Sequence, residues 1–139
     1  MTTGTRLEIV RRVICFTEDA TFASLVQQSI SSDFEVVRFP AAYLNWKVRE
    51  QVGQVRSQLI LLELMPSFDN AHLFMFLRTE STTRNLPIIF VSNNPRHQFQ
   101  AEVFGANGFM LRESIPTQLP KLLTQIEASN TLQERVMAR

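Results

Sequence analysis

Four short apolar runs, "RVICF" (12–16), "EVVRF" (35–39), "QLILLEL" (58–64) and "LPIIFVS" (86–92), limit most strongly what this chain can fold into. A weaker fifth, "GFMLR" (108–112), follows. Their apolar residues are consecutive rather than alternating, and many are β-branched or aromatic. Strands buried on both faces of a parallel sheet have that composition. Helical periodicity fills the intervals. Residues 21–31 bring Phe22, Leu25, Val26 and Ile30 to one side, and residues 42–55 do the same for Leu44, Val48, Val52 and Val55, with Tyr43 and Trp46 near the start. Asp69 is a good N-cap for a helix striped by Leu73, Phe76 and Leu77. Pro95 opens a short helix carrying Phe99, Val103 and Phe104. Residues 117–128 carry Leu119, Leu122, Leu123 and Ile126, with Pro120 tolerated by a place in the first turn. Five alternating βα units predict a doubly wound, five-stranded parallel α/β sandwich with right-handed crossovers.

A length of 139 residues fits one domain with a real core. The expected division is an N-terminal tail (1–9), the α/β domain (10–128) and a helix extension or tail (129–139). A hydrophobic fraction of 45% with 19% charged residues is ordinary for a soluble protein. The net charge of +1 and the scattered basic residues argue against a nucleic-acid or membrane surface. No apolar run approaches the roughly 18 residues of a membrane span, and "MTTGTRLE" lacks the apolar core of a signal peptide, so a cytoplasmic location is expected. The single cysteine, Cys15, excludes an intramolecular disulfide and reads as a small buried hydrophobe. Four glycines, none clustered after the first strand, leave no phosphate-binding loop. His72 and His97 are isolated in sequence and read as surface residues, which leaves metal catalysis and a nucleophilic triad without support.

In a doubly wound sheet the chemical site lies at the carboxyl ends of the strands. Thr17, Glu18 and Asp19 follow the first strand, Glu63 the third, Ser92 and Asn93 the fourth, and Arg112 the fifth. Clustered carboxylates either hold a hard cation or raise one another's pKa; a hydroxyl and a cation beside them suit phosphoryl chemistry. On composition alone a plainer explanation weighs more: polar residues end strands where strands emerge into water.

Order and spacing change that balance. "VICFTEDATF", "LILLELMPSFDN", "RNLPIIFVSN" and "FGANGFMLRES" together resemble the receiver domain of bacterial two-component response regulators, over about residues 10–128. The resemblance implies sheet order 2-1-3-4-5. By position it puts the family's phosphoacceptor aspartate on Glu63 and its metal-binding acid pair on Thr17 and Glu18, with Asp19 beside them in an acidic pocket. The switch hydroxyl falls on Ser92, the switch aromatic on Phe109 and the family's lysine on Arg112.

Most of those positions depart from the pattern. Glutamate at 63 adds a methylene and a torsion to a reaction governed by positioning. Thr17 removes a charge from the acid pair, Asp19 is expected to point elsewhere, and the turn "LMPSFDN" is one residue short of the usual family turn. Asn93 crowds the site, Phe109 lacks a hydroxyl, and the fourth helix has room for only about two to three turns. Arg112 offers a planar fork suited to carboxylate pairing. It is expected to pair with Glu63 or Glu18 and seal the pocket, while Ser92 reaches toward Glu63.

The function expected from this is a pseudo-receiver acting through protein contacts, with no catalytic residue and no cofactor. Its surface would be helix 4, strand 5 and helix 5, with Arg96, His97, Phe99, Gln100, Phe109, Arg112 and Gln118 as candidates. Phe99 has a competing assignment to the core. The partner would be an output domain, a histidine kinase or a second copy. The alternatives are a degraded but working phosphoacceptor with Mg2+, for which Glu18 and Glu63 are the candidate ligands, and a flavodoxin-like small-molecule binder. Glu63 is either inert or an imitation of the phosphorylated state. Its charge of about −1, against about −1.5 to −2 for a phosphoryl group, favours the first.

Overall fold

A computed structural model describes residues 11–42, 45–65, 70 and 72–137, with side chains through residue 130. The N-terminal tail, Tyr43, Leu44 and the proposed Asp69 cap lie outside the described residues. Five parallel strands, β1 (Arg11–Phe16), β2 (Phe34–Phe39), β3 (Leu59–Glu63), β4 (Ile88–Ser92) and β5 (Gly108–Leu111), pair in the order β2-β1-β3-β4-β5. The connecting helices are α1 (Ala20–Ser29), α2 (Trp46–Gln54), α3 (His72–Thr79) and α4 (His97–Phe104). After β5 a 3-10 turn (Arg112–Ser114) leads into α5 (Ile115–Met137).

The apolar runs are continuous because both sheet faces are covered. Side chains alternate across a strand. Val13 and Cys15, Leu59 and Leu61, and Ile89 and Val91 pack with Phe22 and Val26 of α1 and with Ile115, Leu119 and Leu123 of α5. The intervening Ile14 and Phe16, Ile60 and Leu62, and Ile88 and Phe90 pack with α2, α3 and α4 through Val48, Val52, Leu73, Phe74, Leu77 and Ala101. Each fully buried Leu, Ile or Phe contributes roughly 1.5–3 kcal/mol of transfer free energy, so the two layers fix the register of every strand. Phe74 and Phe90 meet edge to face at 5.5 Å, which joins α3 to β4.

Two expectations need correction, and one open assignment is decided. Helix α2 begins at Trp46 rather than at residue 42, because Asn45 in extended conformation accepts the Val48 N–H at 2.8 Å and caps it there. Pro120 is the sixth residue of α5, not a first-turn residue; the helix starts early because the fully buried Ile115 anchors it directly after the 3-10 turn. Phe99 is 70% exposed, since the half-turns of α4 that meet the sheet are taken by His97 and Ala101. Helix α4 does have the expected two to three turns. It stops at Gly105, whose φ of 86° suits glycine and whose N–H reaches the carbonyls of Ala101 and Glu102.

Candidate functional site

Strand alternation also decides which polar ends meet. Thr17 and Glu63 continue the side of β1 and β3 that carries Cys15 and Leu61, and Arg112 continues the side of β5 that carries Met110. These three converge. The Thr17 hydroxyl donates to Glu63 Oε1, and Arg112 Nη1 donates to Glu63 Oε2 at 3.1 Å. The second arm of the Arg112 fork reaches Asp19 at 2.6 Å, and the guanidinium lies 5.0 Å from the centre of the Phe22 ring. The expected Arg112–Glu63 pair therefore forms.

Asp19 was expected to point away and does not. It caps α1, accepting the Thr21 N–H at 2.9 Å, and this conformation turns its other oxygen toward Arg112. Glu18 is one residue out of phase and lies on the other side. Its carboxylate accepts the backbone N–H groups of Ala41 and Ala42 at 2.6 and 3.2 Å, tying the β2–α2 loop to the β1–α1 loop.

Ser92 does not reach toward Glu63 as expected. It continues the Phe90 side of β4, and its hydroxyl meets His97 Nδ1 at 2.6 Å while accepting the Asn94 N–H at 2.9 Å. His97 is accordingly buried, not a surface residue, because it starts α4 against the strand end. A serine–histidine contact raises the question of nucleophilic catalysis. The nearby N–H groups that an oxyanion would need are already engaged: Asn94 by Ser92, Arg96 by the Asn94 side chain, His97 by the Asn94 carbonyl and Gln98 by the Pro95 carbonyl. Phe109 is half-buried against the α2–α4 layer.

One residue that matters was missed in the sequence. Asn70 is fully buried; its amide donates to the Glu63 carbonyl at 2.8 Å and accepts the Met65 N–H at 2.9 Å. It fixes the backbone from which the Glu63 side chain departs. The available signal was an asparagine closing the turn after a strand, a residue type that bonds nearby backbone.

The ion pair does not seal the pocket. Arg112 leans on Phe22 toward α1, and a cavity of about 420 Å³ remains between Glu63, Met65, Ala41, Ser92 and His97. Burial raises the Glu63 pKa above its ordinary 4.5, outweighing the hydrogen bond from Thr17 and the charge of Arg112, which lower it. Asp19 is held below its ordinary value chiefly by the hydrogen bond from Arg112 and then by the Thr21 N–H. Burial pushes the Cys15 thiol up to about 12, so it is a packing residue at neutral pH.

An acid with a raised folded-state pKa stabilises the fold fully below its unfolded value, and the contribution is lost as pH rises through the folded one. Asp19 acts oppositely, contributing above its unfolded value. Replacing Glu63 by Gln removes only the first effect. Urea titrations from about pH 4 to 7 should show wild type losing stability relative to Glu63→Gln as pH rises. A gap that is constant with pH would mean that Glu63 titrates alike in both states.

A magnesium ion takes near-octahedral oxygen coordination. Here the Glu63, Asp19 and Glu18 carboxylates face a hydroxyl, a guanidinium and backbone N–H groups, and the Thr17 hydroxyl is engaged by Glu63 and the Asp19 N–H. Among the described residues no three His, Cys, Asp or Glu side chains group so as to hold a metal ion. These donors do not fit the ion.

No protein-family model and no curated protein matches the chain. Solved structures do. A CheY-like protein (tadZ) from Pseudomonas aeruginosa PAO1 is 16% identical, over 85% of this chain and 94% of that one, with TM-score 0.68. A response regulator from Thermotoga maritima is 14% identical, over 85% and 98%, with TM-score 0.67. A response regulator protein from Burkholderia multivorans is 19% identical, over 86% and 96%, with TM-score 0.61. The chain has the fold of response-regulator receiver domains, in the strand order that its sequence implies.

Proposed function

We propose that this receiver-fold chain is a pseudo-receiver: a cytoplasmic, non-enzymatic signalling module that acts by protein contact, without phosphorylation or a bound metal. The observation that supports this is the Arg112 bridge, which commits Glu63 and Asp19 to one guanidinium where phosphoryl transfer needs carboxylates free to hold a metal and to attack. Glu63 then acts as the fixed anionic partner of Thr17 and Arg112. The contact surface is the face of α4, β5 and α5, with Phe99 and Val103, one helical turn apart and 70% and 68% exposed, as its apolar anchors. Arg96 and Gln118 are exposed as well. An output domain, a histidine kinase or a second copy would dock there.

Magnesium titration followed by NMR tests the metal-free part of this proposal. The Thr17, Glu63 and Arg112 signals should stay unmoved across the titration. A saturable shift confined to those residues would instead favour the metal-using phosphoacceptor.

A further inference from the structure

We propose that two copies of this chain join edge to edge through β5, so that their sheets become one continuous antiparallel-seamed sheet. The proposal rests on the contact-module reading for what the contact is for, and it names the partner as a second copy. An open sheet has two edges, here β2 and β5. At each edge, alternate residues turn their N–H and C=O groups away from the sheet, a template for another strand. The two edges are not alike. Over β2 lies the Gln27 carboxamide of α1: its Nε2 donates to the Phe34 carbonyl and its Oε1 accepts the Val36 N–H, both at 3.0 Å. A side-chain amide with that pair of bonds occupies the place of a neighbouring peptide group. The same strand carries exposed Glu35 and Arg38, and charges on an edge discourage strand addition.

Nothing comparable protects β5. Its sequence, "GFML", has no charge and no proline, and Gly108, Phe109 and Leu111 are partly exposed. Among the described residues no side chain bonds to the backbone of this strand. A row of main-chain donors and acceptors is matched by another extended backbone, and the unprotected extended edge at hand is β5 itself. Antiparallel pairing about a two-fold axis sets β5 against β5 with no charged residue opposite another within the strand. It also brings Phe109 against apolar side chains of the second copy. Because the Gln27 amide blocks the outer edge of each copy, growth stops at the dimer instead of continuing as a filament. Four residues make a short seam, so association belongs in the range of about 10 μM to 1 mM.

Analytical ultracentrifugation of the full chain over that concentration range, without phosphodonor or magnesium, tests this together with amide hydrogen exchange by NMR. Wild type should pass reversibly from monomer to dimer and form nothing larger. The β5 amides that do not bond to β4 should exchange about tenfold more slowly once about nine-tenths of the chains are dimeric, because exchange then waits for the monomer. The β2 amides should not respond to concentration. Phe109→Lys places a like charge near the two-fold axis and removes an aromatic contact, so its dimer should be at least about tenfold weaker, while Phe109→Leu keeps it. The wild-type exchange decides even if a variant folds poorly. The proposal is overturned by a monomer at every concentration, by a dimer whose β5 amides exchange no more slowly, or by assembly beyond the dimer. A monomer leaves the contact-module proposal with an output domain or a kinase as its partner. Phosphate uptake by Glu63 would remove that proposal without altering the association measurement.

Discussion

Replacing Arg112 by Met should destabilise the protein by about 2 kcal/mol at pH 7, read by urea unfolding. Glu63 and Arg112 are 16% and 23% exposed at their side chains, so removing the cation leaves a largely buried carboxylate with only the Thr17 hydroxyl for compensation. Breaking a fully buried pair costs about 3–5 kcal/mol, and partial exposure to solvent reduces that. Methionine keeps much of the stem that lies against Phe22, so the loss reports the charge more than the packing. Its pH dependence is a second signature. A protonated Glu63 needs no cation, and a protonated Asp19 has lost the contribution of its lowered pKa, so the deficit should shrink as pH falls toward 4. An undiminished deficit at low pH would mean that Arg112 acts through packing alone.

Asn70→Ala should cost a similar amount, about 2 kcal/mol, with a readout at the site. The substitution leaves the Glu63 carbonyl and the Met65 N–H without the side chain that pairs with both, at a fully buried position. Because Asn70 fixes the strand end, the Thr17 and Arg112 signals, which belong to the partners of the Glu63 side chain, should move in the NMR spectrum. A stability loss with those signals unchanged would limit Asn70 to a turn support.

Much of the fold was legible because burial on both faces of a sheet writes itself into sequence as unbroken apolar runs. Val13 to Phe16 and Leu59 to Leu62 are such runs, and every residue in them is buried. The same alternation encodes which polar ends of the site meet. Counting in twos from Cys15, Leu61 and Met110 reaches Thr17, Glu63 and Arg112, which do meet. Counting from Phe16 and Phe90 reaches Glu18 and Ser92, which turn to Ala41 and His97 instead. Position in a family pattern points Ser92 at Glu63, whereas strand parity points it away.

What stayed illegible depends on local turns. His97 reads as isolated because its partner lies five residues back, across a turn whose shape is set by the Asn94 side chain and Pro95. The direction of Asp19 is illegible in strand register because its role as the α1 cap aims the carboxylate. The Pro120 error arose because a short polar stretch, "RES", gives no sign that it forms a 3-10 turn joining directly to α5.

The most direct test of the central claim is intact-mass measurement after incubation with acetyl phosphate and magnesium, with Glu63→Gln as the control. The account predicts no phosphate-sized gain in either protein, because Glu63 is held by Thr17 and Arg112. A gain in wild type that disappears in Glu63→Gln would make Glu63 a working phosphoacceptor and contradict it.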